Sequence, residues 1–244
     1  MADGQGIRLA DADLSIDNTV ISGNTENGLY LQNSSPSLSI TDILSNGNAG
    51  VYYVDVAVSP NYFNCTLDGN LYGLYYPTPN FSFPVIEGIT SYNNSVSGIA
   101  MAGGDITADQ TWPYNPLGYA VLGDVLIVKK NSKVRLTIDP GNTILFDSLV
   151  QIQVGNYVHY LNEYGGELHA VGTADSTITF TSINGRSGGW DGIFFHYNSD
   201  SFGSISELKY CTIQNGNSYN IKCNGTLQPR IDSCTINNSN NYNI

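Results

Sequence analysis

The chain has 244 residues, 12% of them charged, and its formal net charge of −12 comes from 9 Lys and Arg against 21 Asp and Glu. So few scattered basic residues cannot neutralise a phosphate backbone, which excludes nucleic acid as a partner. No apolar run has the length of a membrane-spanning helix, so no membrane insertion is expected. With little charge, the surface must be covered by Asn, Ser, Thr, Gly and Tyr, of which there are 17 Tyr against 2 Met and 2 Trp. That balance suits a secreted protein, and an extracellular or cell-surface location is expected.

Met1-Ala2-Asp3 runs straight into patterned sequence, with no basic-then-apolar leader. A Gly followed by an aliphatic residue recurs at Gly6-Ile7, Gly28-Leu29, Gly50-Val51, Gly73-Leu74 and Gly98-Ile99. A second mark, aliphatic-x-x-Asn, falls inside the intervals at Ile21/Asn24, Ile43/Asn46 and Leu67/Asn70, and in a looser form at Ile89/Asn93. Short alternating bursts between turn residues, such as "LSI" (38–40), "TITF" (177–180) and "CTI" (211–213), read as strands. Three strands and three turns fit one unit, and the L-x-x-L-x-L spacing of leucine-rich repeats is missing. The fold predicted is all-β, a parallel β-helix solenoid of about 22–25 residues per coil.

Stacked coils pile equivalent residues into columns about 4.8 Å apart. Inward aliphatics then form a continuous core, Asn suits left-handed corners and hydrogen-bonded columns, and like charges are disfavoured. Cys65, Cys211 and Cys234 share one frame ("CTL", "CTI", "CTI"), which reads as an inward free thiol; Cys211 and Cys234 would lie on neighbouring coils, within reach of a disulfide. The repeat lapses between about residues 103 and 148, where Pro113 and Pro116 interrupt pairing and "DPGN" (139–142) forms a turn. "CTIQNGNSYNI" (211–221) recurs as "CTINNSNNYNI" (234–244), which reads as the next coil of a longer protein whose flanking coils would be partners of this piece.

The string "GYAVLGDVLIV" (118–128), "LTIDPGNTILF" (136–146), "GELHAVGTADSTITFTS" (166–182), "WDGIFF" (190–195) and "LKYCTIQN" (208–215) resembles the right-handed β-helix modules of large bacterial and archaeal surface or secreted proteins, in the broad pectin-lyase-like superfamily. The resemblance covers 105–244, while 6–104 is similar to the generic Asn-rich coils of the same group. It implies a right-handed helix and a boundary near residue 105: 1–105 as terminal coils of one module, 106–244 as a second. One continuous helix with a side loop is the alternative. The superfamily hosts lyases, hydrolases, adhesins and spacers alike, so the fold does not choose among them.

Hydrolases resembling polygalacturonase carry clustered Asp with His-Gly and Arg-x-Lys elements, and neither "NTD…DD…HG" nor "RIK" occurs here. Enzymes resembling pectate lyase need a calcium site of several carboxylates and an Arg base. The Arg residues are Arg8, Arg135, Arg186 and Arg230; Arg135 alternates with Val134 and Leu136 as an outward strand residue does, without an Asp pair beside it. Asp11 and Asp13 alternate on one face, as calcium ligands could, and read as solvated edge residues; no cofactor is expected unless calcium binds there. His159, His169 and His196 read as surface residues, and Glu163, Glu167, Asp175 and Asp191 cannot be paired from sequence. No Thr-x-Thr recurs at coil spacing, so an ice-binding Thr ladder is not expected.

Adjacent aromatics cannot both face inward on a regular strand. Tyr52, Tyr53, Tyr75, Tyr76 and Tyr92 are therefore the candidate ligand-binding residues, offering flat faces to sugar rings or a partner. The expected function is a non-catalytic extracellular segment, a stalk, adhesin or carbohydrate-contacting module, with a polysaccharide or cell-surface glycan as partner. The alternative is a polysaccharide lyase or glycoside hydrolase acting on acidic glycans.

Overall fold

The computed structural model describes residues 4–55, 59–156, 163–199, 201–224 and 229–241. His159 lies outside the described residues, as do the final residues of the second "CTI" copy. The chain divides into two compact units, Met1–Met101 and Ala102–Ile244.

In the N-terminal unit each coil contributes one strand to each of three parallel sheets. The first sheet stacks Ile7–Ala10, Leu29–Gln32, Ala49–Tyr53, Tyr72–Tyr76 and Val96–Met101. The second stacks Ser15–Asp17, Ser37–Ser39, Asn61–Phe63 and Val85–Glu87. The third stacks Val20–Ser22, Asp42–Leu44, Thr66–Asp68 and Thr90–Tyr92. This is the parallel β-helix that the repeat predicts.

Register explains the two sequence marks. Gly28 is required by close approach: a Cβ there would lie 2.7 Å from the Gly50 carbonyl oxygen, 2.6 Å from Ile43 Cγ2 and 2.9 Å from Asn46 Nδ2. The Asn mark is a column. Asn24 Nδ2 donates to Asn46 Oδ1 (2.8 Å), Asn46 Nδ2 to Asn70 Oδ1 (3.0 Å) and Asn70 Nδ2 to Asn94 Oδ1 (3.1 Å). Each acceptor oxygen also takes the backbone N–H of the residue above it, at 3.2, 3.0 and 2.9 Å. Asn70 and Asn94 in addition donate to the carbonyls of Ile43 and Leu67.

The fourth member is Asn94, not Asn93. Ser91 stands opposite Leu67 where the aliphatic of the mark would be, which hides the true spacing. Asn93 instead turns a corner at φ 53°, in line with Gly23, Ser45 and Gly69, all at positive φ. The other corner is built by Asn18, Ile40, Asn64 and Gly88, again all at positive φ. Asn thus serves both corners and columns, with different residues in each role.

The C-terminal unit repeats the plan. Its first sheet is Tyr119–Val121, Thr143–Phe146, Ile178–Ser182, Cys211–Gln214 and Thr235–Asn237. Its second is Gly104–Ile106, Val125–Ile127, Gln151–Val154, Gly192–Phe195 and Ile221–Cys223. Its third is Gln110–Trp112, Arg135–Ile138, Glu167–Val171, Glu207–Lys209 and Arg230–Asp232. The stretch where the repeat lapses in sequence is therefore coiled, and Pro113 falls just after a strand. Two coils here are longer than the predicted unit, because Ile144, Phe180 and Ile213 are successive register partners. Part of the extra chain forms a side arm, Lys129–Lys130 antiparallel to Tyr164–Gly165.

Two stability changes follow. Asn70→Ala strips acceptors from the Asn46 amide and N–H and a donor from the Ile43 carbonyl, and should cost about 3 kcal/mol, read as a fall in the urea midpoint at unchanged slope. Ile40 is a β-branched residue at φ 48° with its side chain 58% exposed. Ile40→Asn, matching Asn18 and Asn64 at the same corner, should raise stability by about 1 kcal/mol in the same assay.

Candidate functional site

The second residue after each of the first four Gly marks reaches solvent from the first sheet of the N-terminal unit, while Ala100, after the fifth, is buried. Register aligns Arg8, Tyr30, Tyr52, Tyr75 and Ala100 in one column. The next residue in each strand points inward, so Leu9, Leu31, Tyr53, Tyr76 and Met101 line the core. Alternation thus splits the candidate tyrosines cleanly.

Tyr53 and Tyr76 are fully buried and must leave the ligand-binding set. Their rings stack on each other at 3.9 Å, and Tyr76 stacks on Phe81 at the same distance. The Tyr53 hydroxyl is hydrogen-bonded to that of buried Tyr62, and desolvation pushes both phenols far above their ordinary pKa. Tyr92 is 51% exposed but belongs to the third sheet, opposite Asp68, away from the column. Tyr52 and Tyr75 face outward, and Tyr30 stands in the same column. The sequence held that signal: "GLYL" (28–31), "GVYY" (50–53) and "GLYY" (73–76) align once the Gly mark sets the frame.

The geometry changes what the column can offer. Tyr30 and Tyr52 lie parallel, 5.7 Å between centroids and 1° between planes; Tyr52 and Tyr75 follow at 5.0 Å and 21°. Tyr72 tilts against Tyr75 at 5.0 Å, and the Arg8 guanidinium sits 5.3 Å over Tyr30. The ring faces are therefore spent on each other and on Arg8. What meets solvent is a file of ring edges and phenol hydroxyls, one per coil, rather than the flat faces expected. Partial burial and then neighbouring phenols raise the pKa of Tyr52 and Tyr75, which keeps both hydroxyls protonated as donors.

A charged cluster stands on the third sheet of the C-terminal unit. Glu167, only 2% exposed, accepts from Lys133 Nζ at 2.9 Å, Arg135 Nε at 2.7 Å and the Ile205 N–H at 3.1 Å. His169 Nε2 is 3.8 Å away and 2.7 Å from the Ile205 carbonyl oxygen. Desolvation pushes the Glu167 pKa up, but the hydrogen bonds from Lys133, Arg135 and Ile205 outweigh it, and the net shift is downward. Arg135 does face outward as its alternation predicts. Further along the face, Glu207 stands opposite Arg230, and Lys209 pairs with Asp232 at 3.1 Å. Charges on this face stack in opposite signs.

Other expectations are corrected. His196 is buried rather than superficial: it packs on Phe194 at 3.9 Å, its Nε2 meets Gln153 Oε1 at 3.0 Å, and burial, then Lys222, lowers its pKa to about 4. Asp11 and Asp13 are exposed, as the edge reading expects, and accept from Asn33 Nδ2 at 2.7 Å and from the Ser35 N–H at 2.5 Å. Among the described residues no three His, Cys, Asp or Glu side chains converge as metal ligands do. A Thr column is present after all: Thr143, Thr179, Thr212 and Thr235 are successive register partners. Unequal coil lengths hid it from the sequence. It is single file, since the neighbouring outward column mixes Leu145, Thr181, Gln214 and Asn237. At its Thr143 end Tyr114, Gly141, Asp175, Ser176 and Thr179 line an open groove of about 540 Å³.

Residues 2–111 match the family model described as the right handed beta helix region. Comparison with curated proteins gives no significant match, and comparison with solved structures gives none.

Because the folded pKa of Glu167 lies below its unfolded value, the stability it contributes is present above about pH 4.5 and fades as pH falls through the folded pKa. Glu167→Gln should lower stability at pH 7 by about 2 kcal/mol, since both cations are partly solvated. Its thermal midpoint should also fall less steeply than that of the wild type below pH 4.5. Equal acid slopes in the two proteins would contradict this account.

Proposed function

We propose that this right-handed β-helix is a non-catalytic module of an extracellular or cell-surface protein that binds an extended glycan along the solenoid axis. The observation that carries the reading is the in-register Tyr30–Tyr52–Tyr75 column. Its rings follow one another at 5.7 and 5.0 Å, near the coil repeat of about 4.8 Å and close to the length of one pyranose in an extended chain. A polymer of such units can meet one phenol per sugar, with ring edges against its C–H and hydroxyl groups. Low surface charge and the scarcity of Lys and Arg fit a neutral or weakly charged ligand better than a polyanion.

The test is titration calorimetry against a panel of soluble neutral and acidic polysaccharides, with reducing-end and unsaturated-product assays in parallel. Tyr52→Ala should weaken binding about tenfold, close to 1.4 kcal/mol, and Tyr52→Phe should lose most of the same affinity, because the hydroxyl and not the ring face makes the contact. Retention of full affinity by Tyr52→Phe would point to face stacking. Release of new chain ends would replace the module with a lyase or hydrolase, and the absence of binding across the panel would end the glycan reading.

A further inference from the structure

The two "CTI" copies bring two thiols together. Thr212 pairs with Thr235 and Ile213 with Ile236, so the cysteines that precede them, Cys211 and Cys234, hold equivalent positions on adjacent coils. Tyr210 and Ser233, immediately before them, turn the same left-handed corner at φ 47° and 52°. The Cys211 N–H donates to Cys234 Sγ at 3.4 Å. Adjacent parallel strands run about 4.8 Å apart, inside the Cα separation of about 4.4–6.8 Å that a disulfide spans.

No other cysteine has such a neighbour. Thr66, which follows Cys65, pairs with Asp42 and Thr90, so Cys65 stacks between Thr41 and Ile89. Cys223 stands opposite Phe195 on another sheet. The two partners also differ. Cys211 is 2% exposed, with Sγ 3.2 Å from the Ala170 carbonyl oxygen; Cys234 is half-buried, with Sγ 3.3 Å from that of Asp232 and 3.4 Å from that of Leu208. All four cysteines are free thiols.

We propose that Cys211 and Cys234 form a dithiol modification site that a small disulfide, such as oxidised glutathione, converts to a bridge between the two coils. The Cys234 thiolate attacks one sulfur of the oxidant, whose S–S bond breaks, and one glutathione thiolate leaves and takes a proton from solvent. Cys211 then gives up its proton, and its sulfur attacks Cys234 Sγ, expelling the second glutathione thiolate. Two protein thiols lose two electrons and two protons, and one oxidised glutathione becomes two reduced. Accessibility sets the order, since the half-buried sulfur can meet the oxidant and the buried one can reach only its neighbour. Hydrogen bonding from Cys211 favours the same assignment by lowering the Cys234 pKa to about 6.

The experiment equilibrates the protein in glutathione buffers of graded redox ratio, blocks remaining thiols and maps the peptides. Oxidation should remove two hydrogens per chain, link Cys211 to Cys234, leave Cys65 and Cys223 blocked, and raise the thermal midpoint by several degrees. Cys211→Ser should accumulate a mixed glutathione disulfide at Cys234, while Cys234→Ser should leave Cys211 unmodified. The wild-type map decides the matter even if a variant misfolds. Thiols that stay free through the most oxidising buffer, or a bridge involving Cys223, would overturn the proposal.

Discussion

Parallel, in-register pairing of one coil on the next is the constraint from which the rest of this molecule follows. Each residue meets its counterpart about 4.8 Å away, and the counterpart meets the next. A side chain survives at a position only if it tolerates its own kind or is given a complement. Asn satisfies itself, its amide donating to the next coil while its oxygen accepts from the one before, and each bond also captures a backbone N–H at a corner. Carboxylates and cations do not tolerate their own kind, and on the third sheet of the C-terminal unit they stand opposite one another: Arg135 beside Glu167, Glu207 beside Arg230, Lys209 beside Asp232. Low charge content and paired signs are two responses to one repulsion.

The same constraint decides what was legible in the sequence. Where the coil length holds near 22–25 residues, periodicity alone reveals the fold and the inward columns. Burial at Leu29, Val51 and Leu74 follows from the Gly mark. Asn94 was missed because Ser91 replaces the aliphatic of the mark, and the Thr column because its members lie on coils of unequal length. Glu167 gave no signal either: Arg135 comes from the neighbouring strand, Lys133 from the segment leading into it, and Ile205 from thirty-eight residues further along the chain. Long-range convergence across irregular coils leaves no spacing to read.

Alternation explains why the tyrosine prediction split as it did. In Tyr52-Tyr53 and Tyr75-Tyr76 the first ring belongs to the surface and the second to the core, so neighbours in sequence have opposite fates. The inward pair gains full burial and tight stacking, and Tyr53 adds a hydroxyl contact with Tyr62. The outward pair gains stacking with Tyr30 and keeps its hydroxyls in water. Stacking in register necessarily turns ring faces along the axis. A β-helix that builds an aromatic column thereby gives up the faces as a ligand platform and offers edges and hydroxyls instead.

This bears on catalysis. General acid–base chemistry needs a group within reach of substrate whose pKa is drawn toward the working pH. Glu167 is moved the other way, with both oxygens held by Lys133, Arg135 and Ile205, and it is closed off from solvent. His196 is pressed toward neutrality by burial and Lys222, and it packs on Phe194 beneath the surface. Neither shift draws a pKa toward neutral pH; the lowered Glu167 pKa adds stability to the stack, while the lowered His196 pKa only keeps a buried ring neutral. The outward phenols of the N-terminal unit are repeated at the coil spacing, partly open to solvent and protonated. Three successive coils supply one equivalent phenol each, and Arg8 and Ala100 bound the column on either side.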